Sequence, residues 1–378
     1  MIKLAVPKEI NEFEDRVSIT PDCVKSINKI GFSVHVESNA GVNAAFSDYD
    51  YKNAGAKIEK NLKALYKDAK IVTKVQRPSK FKKINEFSFI NPSSNILGLI
   101  YPEKFKENFN LLKKSKANVF ALELMPRISR AQSMDVLSSQ SNLAGYKAVI
   151  DSASMYNKAF PLMMTSAGTV APAKILIIGA GVAGLQAVAT AKRLGAVVYV
   201  FDVRTATKEQ VESLGGNFIA VENQESGETK EGYAREMSAS YKKKQAKLLD
   251  ENLKKMDIVI TTALVPGKPA PKILSKKMVD QMKDGSIVMD LASEFGGNCD
   301  LTKHGKVIEY NSKKIVGPNN LSASVAQDAS RLYSKNILNF LVNSSKDGKF
   351  TDFNWEDELV LGTCILKNGK SFKQGKGN

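Results

Sequence analysis

The chain has 378 residues, long enough for two domains of ordinary size that each bury a core. Its 43% hydrophobic and 25% charged content are those of a soluble globular protein. The net charge of +16 comes mostly from lysine spread along the chain. The densest run, Lys242-Lys243-Lys244 with Lys247, has no interleaved aromatics, which argues against nucleic acid as a partner. A basic face toward an acidic partner or a membrane stays open. The three cysteines, Cys23, Cys299 and Cys364, are far apart and odd in number, so neither a disulfide framework nor a metal spacing is present and a reducing compartment is expected.

The opening residues Met1 to Pro7 read as the start of a strand, not as the apolar region of a signal peptide. Up to about residue 126, short apolar runs alternate with helical stretches, as α/β units do. The runs are Lys3–Val6, Ser33–Glu37, Ala69–Val75, Ile96–Ile100 and Asn118–Leu122. None is followed by a glycine-rich phosphate turn, so this half is expected to hold something other than a second dinucleotide. From Gln132 to Met155 the pattern is helical and suits a connector between domains.

Arg127, Arg130, Gln132, Asp135, Ser138, Ser139 and Asn142 crowd the junction. On a helix, Gln132, Asp135, Ser139 and Asn142 share one face. Such a face can hold a carboxamide at a fixed angle, or it can be a solvated surface with Ser129 or Ser133 as a cap. Both readings stand at this point.

Next comes the strand-like run Lys174 to Ile178, then Gly179-Ala180-Gly181-Val182-Ala183-Gly184, a helix from Leu185 to Leu194, a second strand Val197 to Phe201, and Asp202. Strand, G-x-G-x-x-G turn, helix, strand and acid in this order predict a dinucleotide site. Gly179 allows the tight turn, Gly181 lets a pyrophosphate approach the backbone, and Gly184 lets helix and strand pack closely. The helix N-terminus offers free N–H groups and a positive dipole end. Asp202 can accept the ribose hydroxyls and repel a 2′-phosphate, which favours NAD over NADP; Arg204 pulls the other way. A hydropathy scan can flag Ile175 to Ala191, but three turn-type glycines and Gln186 interrupt it, and no transmembrane segment is expected.

Further strands are expected at Ile258–Thr261 and Ile287–Asp290, and Ser322 to Asn343 reads as a helix returning to the first domain. Residues 224 to 247 are polar, either a mobile functional loop or padding. Tyr233, between Gly232 and Ala234, can cap a nucleotide in the first case. His35 lies in an alternating strand and His304 in a turn, and neither reads as a catalytic base. The fold class expected is α/β, two Rossmann-like doubly wound domains with mainly parallel sheets linked by long helices. The domains are residues 1–137 with 321–378, and residues 138–320.

These residues resemble a known family, the NAD-binding α subunit of proton-translocating NAD(P) transhydrogenase, related to alanine dehydrogenase. The resemblance runs through Pro7-Lys8-Glu9 with Arg16-Val17, Arg127 to Asn142, Lys174 to Gly184, and Asp202-Val203-Arg204. It continues through Gly232-Tyr233-Ala234, Asp257 to Ala263, Pro266 to Pro271, and Asp290-Leu291-Ala292 with Glu294 and Asn298. Alanine dehydrogenases use an arginine, a lysine, a histidine and an aspartate around the amino acid. Arg16 keeps the first, while Gln76, Tyr101 and Glu294 stand at the other three positions, which fits the transhydrogenase branch. The resemblance implies that Arg127, Gln132, Asp135 and Ser138 orient the nicotinamide and meet the partner's NADP(H). It also implies cofactor contacts at Gly179, Gly181, Val182, Gly184, Asp202, Val203, Arg204, Gly232, Tyr233, Ala234, Ala263 and Leu264. NAD(H) is expected on this chain and NADP(H) on a partner subunit. A homodimer is expected, peripheral on the cytoplasmic face of the plasma membrane through separate membrane-embedded and NADP(H)-binding subunits. No metal is expected. The runner-up is an alanine dehydrogenase-like NAD-dependent amino-acid dehydrogenase.

Overall fold

In both halves of the chain, apolar runs of four to six residues pair side by side as parallel strands, because each is buried on two faces and needs neighbours for its backbone. The computed structural model describes residues 1–221, 238–265 and 269–372. The chain divides into two units, Met1–Gln140 with Ser322–Asn378, and Ser141–Leu321.

In the first unit, β1 (Ile2–Val6), β2 (Phe32–Glu37), β3 (Lys57–Glu59), β4 (Ile71–Gln76), β5 (Asn95–Leu99) and β6 (Asn118–Ala121) are mutually parallel. From one edge the order is β3, β2, β1, β4, β5, β6, then Cys364–Lys367 and Lys370–Ser371, which run antiparallel. Leu4 and Val6 enter one core while Ala5, between them, enters another, so both faces of the sheet are covered. The helix Ala326–Asn343 presents Tyr333, Ile337, Phe340 and Leu341 to the first of these cores, spaced as one helical stripe. Phe120 and Phe353 meet there with ring centroids 4.4 Å apart.

The second unit repeats the plan. Its strands are β7 (Lys174–Ile178), β8 (Val197–Phe201), β9 (Asn217–Ile219), β10 (Ile258–Thr261), β11 (Ile287–Asp290), β12 (Lys306–Tyr310) and β13 (Lys313–Gly317). The order is β9-β8-β7-β10-β11-β13-β12, parallel except for the edge strand β12. Ile175 and Ile177 face one core, Leu176 and Ile178 the other. The expected α/β class with two doubly wound sheets is what the structure has.

Three local expectations change. The helix read from Gln132 begins at Val136 and runs to Met155 (α1), because Ser129–Met134 forms a tighter 3₁₀ turn and Asp135 is extended at φ −73°, ψ 93°. The glycine-turn helix starts at Val182 and ends at Arg193 (α2), and the return helix starts at Ala326, not Ser322. The edge strands β9 and β12 and an exposed hairpin of Met163–Thr165 with Gly168–Val170 carry no strand signal in the sequence.

Candidate dinucleotide site

The order of strands reverses between β7 and β10, and open α/β sheets hold ligands outside the carboxyl ends at such a point. The glycine turn leaves β7 there, and its three glycines do three different things. Gly179 has φ +103°, and a Cβ on it would lie 2.6 Å from the Thr262 Oγ1. Gly181 has open space where a Cβ would point. A Cβ on Gly184 would lie 1.8 Å from the Gly179 carbonyl oxygen. So the turn is tight, is open where a ligand would approach, and is packed hard against its own helix. Gly181 is the N-cap of α2 and supplies no side-chain cap, and Val182 is 40% exposed. The first N–H groups of a twelve-residue helix therefore face outward, suited to a phosphate. These residues fit a dinucleotide.

Gly145 of α1 fixes α2 from behind: a Cβ there would come within 2.1 Å of the Ala183 carbonyl oxygen. Asn142 adds a hydrogen bond from its Nδ2 to the Gln186 Oε1 (3.2 Å).

Asp202 follows β8 and is nearly buried. Its Oδ2 accepts the Ala180 N–H (2.6 Å) and the Arg204 Nη2 (2.7 Å). Its Oδ1 accepts the Arg204 N–H (2.8 Å) and Nε (2.9 Å). The carboxylate thus braces the glycine turn and holds Arg204, and a ribose hydroxyl would have to take the place of a guanidinium N–H. Val203, between them, packs at the edge of a core. Across the turn, Ala263 has both backbone polar groups on the Asn298 side chain, and Leu264 is 42% exposed. Sequence reasoning misses Thr262 and Asn298 as site residues; the signal lies in their place at the end of β10 and beside the paired glycines 296 and 297. Gly232, Tyr233 and Ala234 lie outside the described residues.

The junction segment belongs to the first unit. Arg127 and Gln132 are exposed, and Asp135 and Ser138 are half-buried. Asp135 is the cap of α1: its Oδ1 accepts the Ser138 N–H (2.9 Å) and its Oδ2 the Ser138 Oγ–H (2.5 Å). Asn336 and Asn339 both donate to the Ser133 carbonyl oxygen (2.8 and 3.0 Å), and Arg130 forms a two-pronged pair with Asp357 (2.7 and 2.9 Å). Ser139 bonds Asn336 and Asn142 bonds Gln186, so the four-residue face read from spacing is divided among separate partners.

In the first unit the strand order reverses between β1 and β4, and charged side chains of the chain itself fill that place. Arg16 donates through Nε (2.7 Å) and Nη2 (2.6 Å) to Glu14, and Gln76 donates to the same carboxylate (2.9 Å). Burial pushes the Glu14 carboxyl up, but Arg16 outweighs it and holds the group below the usual range. Lys74, fully buried, lies 2.6 Å from Glu86 and 3.2 Å from Glu9. The Tyr101 N–H donates to Glu123 (2.5 Å), and Glu294 sits on an exposed turn. His35 pairs with Glu59 (2.8 Å) at the sheet edge, burial favouring its neutral form, and His304 meets Ser293 (3.1 Å). Among the described residues no group of acidic, histidine and cysteine side chains is placed to hold a metal, and no helix is long and apolar enough to cross a membrane.

Comparison with known proteins agrees with this geometry. An NAD(P) transhydrogenase subunit alpha protein of Rhodospirillum rubrum is 50% identical over 372 residues, covering 97% of each chain. A crystal structure of transhydrogenase from Sinorhizobium meliloti superposes with a TM-score of 0.88 at 45% identity, over 98% of this chain and 100% of that one. An L-alanine dehydrogenase shares the fold at TM-score 0.78 and 22% identity, over 98% and 96%. Residues 5–144 match the model of the alanine dehydrogenase/PNT N-terminal domain, and residues 148–374 that of the C-terminal domain. With both domains matched and the glycine turn in the second of them, the chain belongs to the alanine dehydrogenase/PNT family.

Proposed function

We propose that the chain is the NAD(H)-binding α subunit of a proton-translocating NAD(P) transhydrogenase, serving hydride transfer from NADH to NADP⁺ held by a partner subunit. The observation that carries this reading is the open Gly181 with the outward-facing start of α2, built at the strand reversal of the second unit. The first unit supports it, since its own reversal point is filled by Glu14, Arg16, Gln76, Glu9 and Lys74. Amino-acid oxidation would ask Arg16 for a substrate carboxylate, and Glu14 takes two of its N–H groups. Bound NADH would supply the hydride; the chain's task is to hold and orient it, since bringing two reactants into near-attack geometry is worth a large part of such a barrier. Mixing the chain with NADP(H)-binding membrane components and NADH should reduce an NADP⁺ analogue only when all are present. Alanine-dependent reduction of NAD⁺ by the chain alone would point to the runner-up.

Arg127, Gln132, Asp135 and Ser138 serve the transfer in this reading, and Gly232, Tyr233 and Ala234 close on the nucleotide. Asp135→Asn is the informative variant, because asparagine caps a helix as well as aspartate does. We expect unfolding midpoints within about 0.5 kcal/mol of the parent and unchanged NADH affinity, with transfer slowed at least tenfold. Equal losses in affinity and rate would remove Asp135 from the reacting end. Gln132→Asn should behave alike.

The chain is a homodimer in this reading, peripheral on the cytoplasmic membrane face through its partners. The hairpin of residues 163–170 supports a second copy: Leu162 is 57% and Met164 81% exposed, more apolar surface than a monomer gains by showing to water. Leu162→Asp with Met164→Asp should give a folded monomer by sedimentation; an unchanged dimer would place the interface elsewhere.

A further inference from the structure

The glycine turn is held from the far side by a side chain that reaches the expected cofactor positions only through their backbone. β10 ends at Thr261, and the next residue, Thr262, donates its hydroxyl to the carbonyl oxygens of Gly179 (3.0 Å) and Ile178 (3.3 Å). Ala263 has left the sheet, so its N–H and C=O need new partners. Asn298 supplies both. Its Oδ1 accepts the Ala263 N–H (3.0 Å) and its Nδ2 donates to the Ala263 carbonyl oxygen (2.8 Å). The second hydrogen of Nδ2 goes to the Pro271 carbonyl oxygen (2.9 Å). The side-chain amide thus acts as one more peptide of a neighbouring strand, and it does so at 0% exposure.

Asn298 is itself fixed. Its N–H donates to Asp290 Oδ2 (2.7 Å), as do the Cys299 N–H (3.1 Å) and the Thr302 hydroxyl (2.7 Å). Asp290 Oδ1 accepts the Thr261 hydroxyl (2.9 Å) and the Ala292 N–H (3.1 Å). Asp290 at the end of β11 therefore joins the end of β10 to the turn that bears Asn298. Only an amide fits the place: it needs one acceptor and two donors in a plane, and aspartate has no donor.

A dinucleotide straddling the turn lays its adenosine half toward β8, where Asp202 stands, and its nicotinamide half toward β10. We propose that Asn298 is a positioning residue for the nicotinamide half of the cofactor, acting by fixing the backbone of Ala263 and Leu264. The inference rests on the reading that the second unit holds NAD(H) across β7 and β10. It assigns the two sides of the turn to different parts of the ligand, and this separates it from a general structural role.

The test measures NADH and ADP affinities of Asn298→Ala and Asn298→Asp by calorimetry, ADP carrying the adenosine and diphosphate without nicotinamide. Losing donors to buried carbonyls should weaken NADH about tenfold or more and leave ADP within about threefold. Equal losses for both ligands, or an unchanged NADH affinity, overturn the inference. Should both variants fail to fold, hydrogen exchange on the parent protein decides: residues 258–265 should be protected by NADH and not by ADP, and equal protection overturns it. A folded parent that binds neither ligand overturns the dinucleotide reading itself, and the inference with it.

Discussion

Gly184→Ala is expected to abolish NADH binding and to cost about 3 kcal/mol of stability or more. The new Cβ would stand 1.8 Å from the carbonyl oxygen of Gly179, and neither atom belongs to a side chain that can rotate away. Relief would require α2 to move off β7, which opens the core that Ala187, Val188 and Ala191 share with Ile175 and Ile177. Gly181→Ala is the control. Its methyl group meets nothing within 4 Å, so the protein should fold with parental stability. The same methyl would occupy the space through which a pyrophosphate reaches the turn, so NADH affinity should still fall. Urea unfolding and NADH fluorescence titration on the two variants separate packing from binding. Parental stability for Gly184→Ala would mean that the turn is not packed as described.

That contrast also shows how far the sequence can be read. The βαβ unit is legible because its parts are local: an apolar strand, three glycines at fixed spacing, a helix and an acid within thirty residues. What the acid does is not. Asp202 reads as a ribose acceptor, whereas its four hydrogen bonds go to Ala180 and Arg204, and those partners are visible only once β8 lies beside β7. The junction fails for a different reason. Gln132, Asp135, Ser139 and Asn142 have helical spacing, but Asp135 prefers to cap the helix, and capping takes it out of the period. Strand β12, exposed along most of its length, has the composition of a loop because only its backbone pairs, with β13. Asn298 stands in a glycine-rich run that suggests no role for it, since its partners Ala263 and Pro271 lie some thirty residues earlier.

Lys74→Met is expected to destabilise the first unit by about 3 to 5 kcal/mol at pH 8, the usual cost of removing one partner from a buried ionic cluster. Lys74 is completely buried in β4, and Glu86 and Glu9 outweigh its own desolvation to hold the ammonium above the ordinary lysine range. Two buried carboxyls on one lysine leave an excess of negative charge. Burial accordingly raises Glu9 from 4.5 to about 7 in spite of Lys74. The folded protein therefore holds a proton at Glu9 more tightly than the unfolded chain does, and stability should fall as pH rises from about 4.5 through about 7. Glu9→Gln should remove that slope, since an amide does not titrate. In Lys74→Met the carboxyls can lose their unpaired charge only by taking up protons, so its deficit against the parent should narrow steadily as pH is lowered toward 5. Urea midpoints of the three proteins between pH 5 and 8 test both statements. A deficit for Lys74→Met that is the same at every pH would mean that lost packing, not charge left without a partner, sets the cost.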